Sequence, residues 1–123
     1  MSQKRIVDGD RLLITDENGS ALLSIRETLD EPVMTLKLTG SITMNLAHEF
    51  EDELTSVITV CSRVIIDFSN LESISSAGLK ALLSAQQILD KRPNSMLKLR
   101  SLSVPVQKMF QDMGFIELFD IEN

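Results

Sequence analysis

The chain has 123 residues with no tryptophan, no tyrosine, one cysteine and one histidine. Its five aromatics are all phenylalanine, so no indole or phenol is available to stack on unpaired bases or to line a membrane interface. Cys61 alone makes no internal disulfide, and with His48 it falls short of the ligand count of a structural zinc site. Positive charge is also scarce, since 12 Lys and Arg stand against 18 Asp and Glu and leave a net charge of −6. That sign repels a phosphate backbone, which excludes nucleic acid as the expected partner. No stretch approaches the roughly 18 apolar residues of a membrane-spanning helix. The opening Met1-Ser2-Gln3-Lys4-Arg5-Ile6-Val7-Asp8-Gly9-Asp10 carries charge where a signal peptide needs an apolar run. These absences predict a reduced, cytoplasmic, soluble protein without a metal, a cofactor or direct membrane insertion.

Catalytic constellations are missing in the same way. The glycines, at 9, 19, 40, 78 and 114, make neither a P-loop nor a Gly-x-Gly-x-x-Gly turn. His48 lies among the acids Glu49, Glu51, Asp52 and Glu53, which read together as the solvated face of a helix and not as a triad or a carboxylate pair. Cys61 has no histidine near it in sequence and reads as a small hydrophobe. The stripe Met109, Phe110, Met113 and Phe115 has helical spacing and is expected to face a core. No catalytic residue is assigned, and an enzyme is not expected.

What is present is a 43% hydrophobic chain of the usual size for one domain. Leu12–Ile14 and Ala21–Ile25 flank Asp16-Glu17-Asn18-Gly19, which predicts an N-terminal hairpin closed by a type I′ turn at Asn18-Gly19. A second turn is expected at Asp30-Glu31-Pro32. Alternation from Val33 predicts a strand with one wet face, ended by Gly40. Leu46, Phe50, Leu54, Val57 and Ile58 mark an amphipathic helix with Asn45 as its cap. Val64-Ile65-Ile66-Asp67-Phe68 reads as a central strand covered on both faces, followed by a loop over residues 69–74. A helix from Ser75 to Asp90, a strand at Met96–Leu99 and a helix opened by Ser103 and Pro105 and ended by Gly114 complete the alternation. The tail from Phe115 to Ile121 is expected as a last strand or a docked coil. The fold class is α/β: a single domain with a mixed, mostly parallel sheet and helices packed against it. Residues 1–21 form an N-terminal hairpin extension and residues 22–123 the domain proper.

The one unusual junction is Ile74-Ser75-Ser76-Ala77-Gly78-Leu79, where two hydroxyls meet a helix start. One serine serves as the N-cap, at about 1 kcal/mol, with Ser75 the better placed. The other is free for a different use, because a phosphate at a helix N-terminus meets free N–H groups and a partial positive charge. Gly78 costs a helix interior about 1 kcal/mol relative to alanine, and close approach of a partner backbone would account for it.

Asp67-Phe68-Ser69-Asn70-Leu71-Glu72-Ser73-Ile74-Ser75-Ser76-Ala77-Gly78-Leu79 resembles the signature of the STAS domain family, the anti-sigma-factor antagonists and their relatives. Leu38-Thr39-Gly40-Ser41-Ile42 is similar to an earlier segment of the family. Ser103-Val104-Pro105-Val106-Gln107-Lys108-Met109-Phe110 with Gly114-Phe115 is similar to its last helix, so the likeness spans about residues 22–121. The resemblance implies a non-catalytic module that docks on an anti-sigma-factor-like serine kinase and is phosphorylated on Ser76. Ser75, Ser76, Ala77, Gly78, Leu79, Ser41 and Thr43 are the partner-binding residues it implies. Where antagonists carry acids, this chain has Ser75 and Ser41-Ile42-Thr43. The alternative is a phosphorylation-independent STAS module of a transporter complex or sensory scaffold.

Overall fold

The computed structural model describes residues 3–122; the ends of the two expected segments, residues 1–2 and 123, lie outside the described residues. Seven strands, β1 (Lys4–Asp8), β2 (Arg11–Thr15), β3 (Ala21–Asp30), β4 (Val33–Ile42), β5 (Arg63–Ile74), β6 (Met96–Arg100) and β7 (Asp120–Glu122), form one sheet in strict sequence order. The first three pairings are antiparallel and the last three parallel. Each parallel step is made by a helix: α1 (Ala47–Val60), α2 (Ser76–Asp90) and α3 (Val104–Asp112). Because the parallel strands advance in one direction, right-handed crossovers set all three helices on the same face.

Register and burial agree with that arrangement. Val64 pairs with Leu97 and Ile66 with Leu99, and all four are buried. Across the antiparallel half the same face carries Leu38 opposite Ile25 and Leu12 opposite Ile25, again buried. Phe50, Leu54, Val57 and Ile58 of α1, Leu79, Leu82, Ala85 and Leu89 of α2, and Val106 and Phe110 of α3 close the core from the helix side. Phe110 sits edge-on between Phe68 at 6.3 Å and Phe119 at 5.6 Å, a pair geometry that suits the ring quadrupoles. Among the described residues the opposite face of the sheet has no helix. Ile65, expected to be covered, is therefore half-buried there, with Arg63 and Asp67 on either side. The consecutive apolar run signalled burial on two faces, and the structure supplies it on one.

Several local expectations are corrected. Gly40 does not end β4: it sits inside it with φ +111°, at an irregularity of register between Gly40 and Ser41, and the strand continues to Ile42. Residues 69–74 are not a loop but the second half of β5, paired with β4 as far as Ile42 opposite Ile74. The polar composition reflects solvent exposure and not a loop, since Ser69, Asn70, Glu72 and Ser73 lie on exposed positions of a strand whose buried positions are Leu71 and Ile74. Asn45 is not a cap. It lies within a 3-10 turn, Met44–Leu46, that runs directly into α1, and no side chain caps that start. The hairpin of β2 and β3 forms, but its turn is not type I′. Gly19 N–H donates to the Asp16 carbonyl at 3.1 Å with Gly19 at φ +85°, and the Asp16 carboxylate accepts from Asn18 N–H at 2.9 Å and Ser20 N–H at 3.0 Å. This is a four-residue turn, Asp16 to Gly19, whose last residue is the left-handed glycine, and it is held by an Asx bond. β1 is not among the expected strands, although Gly9-Asp10, with apolar pairs at Ile6-Val7 and Leu12-Leu13 on either side, makes a two-residue turn with Gly9 at φ +58°. Ser103 caps α3 as expected, accepting from Val106 N–H at 3.4 Å. Its C-terminal end is a Schellman closure in which Phe115 N–H reaches Phe110 O and Gly114 N–H reaches Gln111 O. The tail is a 3-10 turn and the short strand β7.

On the helix face, Arg5 of β1 bridges Glu49 at 3.1 Å and Glu53 at 3.0 Å on α1. Glu27 of β3 shares this corner. Burial, then a hydrogen bond to Glu53 and the charges of Glu53 and Asp10, raise its carboxyl to about 7. The folded chain therefore holds a proton that the unfolded chain releases between about pH 4.5 and 7, and stability falls as pH rises through that window. Glu27→Gln should keep the hydrogen bond without the proton, so its melting temperature should vary less than that of wild type between pH 5 and 8 and exceed it at the upper end. Parallel pH profiles for the two proteins would contradict the assignment.

Candidate functional site

The rim beyond the carboxyl ends of β4 and β5 is built by backbone. Ile42 and Ile74 pair at the strand ends, and Ser75 N–H donates to Ile42 O at 2.7 Å, so the residues that leave both strands start side by side. Ser75 is extended at φ −79° and ψ 165°, and its hydroxyl accepts from Gly78 N–H at 3.2 Å. It is the N-cap, and Ser76 is the first residue of α2. The Ser76 hydroxyl has no hydrogen-bond partner among the described residues, and no acid occupies the first turn of the helix. Lys80 follows one turn later and is exposed. A phosphate on Ser76 would thus meet the positive end of the helix dipole and an i,i+4 lysine without a carboxylate in the first turn.

Of the residues the sequence singled out, Thr43 is exposed and Ser41, Ser75, Ser76 and Ala77 are half-buried, whereas Gly78 and Leu79 are buried. A Cβ on Gly78 would lie 2.8 Å from both Ile42 Cγ2 and Ile74 Cγ1. The bare position thus lets α2 settle on the ends of β4 and β5, an intramolecular reason for this glycine. Leu79 anchors the same turn in the core. The surface of the rim is left to Ser76, Ala77, Thr43 and the neighbouring Met44, a large apolar side chain that is 74% exposed.

Ser41 and Thr43 also line a depression of about 580 Å³ between the β2–β3 turn and the start of α1. Asp16, Glu17 and Glu72 stand in its wall, so carboxylates reach the neighbourhood of Ser41 and Thr43 from the β2–β3 turn and from β5. Sequence reasoning did not find this depression, because its walls come from four separate segments, at Gln3, at residues 16–22, at residues 40–46 and at Glu72. Ser75 and Ser76 are not part of its lining. Among the described residues no group of three or more His, Cys, Asp or Glu could hold a metal ion, and no helix is long and apolar enough to cross a membrane. His48 is exposed beside Asp52, and Cys61 is half-buried at the end of α1.

The family model described as "Mlab, STAS domain" matches residues 25–120. No curated protein is a significant sequence relative of the chain. Among solved structures, an anti-sigma factor antagonist from Mycobacterium paratuberculosis superimposes with a TM-score of 0.73 at 19% identity, over 81% of this chain and 85% of that one. The Bacillus cell fate determinant SpoIIAA in its phosphorylated form gives 0.63 at 16% identity, over 80% and 90%. A sulfate transporter family protein from Wolinella succinogenes gives 0.63 at 19% identity, over 77% and 80%. At these identities the likeness is one of fold.

Proposed function

The chain belongs to the STAS domain family, and we propose that within it this protein is a non-catalytic, cytoplasmic regulatory module that docks on an anti-sigma-factor-like serine kinase and is released when that kinase phosphorylates Ser76. The observation that carries this reading is the division of labour between the two serines. Ser75 closes the helix, which leaves the Ser76 hydroxyl unbonded at the N-terminus of α2. The docking surface is the rim of Ser76, Ala77, Ser41 and Thr43, with exposed Met44 beside them. Gly78 and Leu79 support it from beneath.

A second reading, a phosphorylation-independent module of a transporter complex or scaffold, is favoured by Ser75, Ser41 and Thr43 standing where antagonists carry acids. The fold likeness to a sulfate transporter family protein supports it also. Affinity capture of the protein from its native host, with mass spectrometry of both partners and phosphoserine, decides between the two. The expected result is a co-purifying serine kinase and phosphate on Ser76. Phosphate on Ser75 would overturn the assignment of roles, and transporter subunits with no phosphoserine would establish the second reading.

A further inference from the structure

The helix-free face of the sheet carries an arrangement that the rim does not use. Arg11 of β2 lies directly opposite Arg26 of β3, and Arg26 directly opposite Lys37 of β4. Three cations therefore stand abreast on one face, with roughly 5 Å between the Cβ atoms of neighbours. Like charges directly opposite one another destabilise a sheet, and little within the chain offsets them. Asp8 reaches Arg11 at 3.9 Å and Asp10 reaches Arg26 at 3.5 Å, both through side chains more than a third exposed, and Lys37 has no salt bridge among the described residues. Asp67, the register partner of Lys37, turns its Oδ1 to Ser69 N–H at 2.8 Å. The Arg11 Nε is buried without a hydrogen-bond partner. The triad opens into a depression of about 380 Å³ to which Ser24, Thr39 and Asn70 add hydroxyl and amide groups.

We propose that this face is a second docking surface, for an acidic segment of a partner protein whose carboxylates pair with Arg11, Arg26 and Lys37. Charge complementarity selects that occupant. A second copy related by a two-fold axis would set cations against cations, and a head-to-tail copy would make an assembly that does not close. The lack of Trp and Tyr leaves no platform on which unpaired bases could stack and none of the aromatic anchors of a membrane interface, which weighs against both a single-stranded nucleic acid and a lipid surface. Donors spaced across three strands suit carboxylates, which accept bidentate bonds from guanidinium groups. The face is separate from the rim, so the proposal stands apart from the role of Ser76.

Binding of a fluorescein-labelled hexaglutamate peptide, followed by anisotropy at low ionic strength, tests it. The peptide should bind, lose affinity as salt screens the charges, and bind at least tenfold more weakly to the double variant Arg26→Ser/Lys37→Ser. Lys108→Ser, on α3, and Ser76→Asp should bind it as wild type does. The double variant should melt no lower than wild type, since it relieves repulsion. The proposal is overturned by absence of peptide binding at low salt, by equal affinity in the double variant, or by tighter binding of phosphatidylglycerol vesicles or a single-stranded DNA oligonucleotide than of the peptide.

Discussion

Gly40→Ala should lower the stability of the protein by about 3 kcal/mol or more, an unusually large loss for the addition of one methyl group. Two independent causes act at this position. Its φ of +111° is a conformation that L side chains rarely adopt, at about 1–3 kcal/mol for a non-glycine residue. A Cβ built there lies 2.3 Å from the Leu22 carbonyl oxygen, 3.1 Å from Leu22 C and 3.3 Å from Leu23 Cα. These are backbone atoms of β3, held by the pairing of Leu23 with Gly40, and they cannot turn aside as a side-chain tip does. The damage would reach the rim, because the register irregularity at Gly40 and Ser41 aims Ser41, Ile42 and Thr43 at the end of β5. Urea denaturation checks the expectation: the midpoint should fall sharply with the m-value unchanged. A loss below about 1 kcal/mol would show that β3 and β4 can separate locally and that Gly40 does not fix the rim.

The alternation of strand and helix, the face of each helix and the cap of α2 were legible in the sequence because each rests on local periodicity or on a residue with one strong local use. Ser75 is the clear case, as a hydroxyl three residues before the N–H it accepts from. What was not legible depends on neighbours far away in sequence. The strand character of residues 69–74 is imposed by pairing with β4, against a composition of polar residues that reads as a loop. The purpose of Gly78 appears only when Ile42 and Ile74 are placed beneath it. The corner of Arg5, Glu27 and Glu53 joins β1, β3 and α1, and the row of Arg11, Arg26 and Lys37 joins three strands by register. Charges scattered along a chain carry no sign of such rows until the register is known. Asp8-Gly9-Asp10 was a local signal for the first hairpin and could have been read.

The second large effect concerns the proposed switch at Ser76. Ser76→Asp should weaken partner binding at least tenfold, about 1.4 kcal/mol, with almost no change in melting temperature. An acid at the first position of α2 meets the favourable end of the helix dipole, and the structure offers it exposed Lys80 one turn on. The fold therefore accommodates the charge. An interface closed over Ser76, Ala77 and Met44 would have to desolvate that charge, and a buried charge without a partner costs several kcal/mol. Ser76→Ala keeps the surface neutral and should bind like the unmodified protein while resisting release by the kinase and ATP.

The most direct test is calorimetric titration of wild type, Ser76→Asp and Ser76→Ala against the captured kinase, with a thermal melt of each variant. The account predicts comparable melting temperatures, full affinity for Ser76→Ala and an affinity at least tenfold lower for Ser76→Asp. Wild-type affinity in a well-folded Ser76→Asp protein would contradict it.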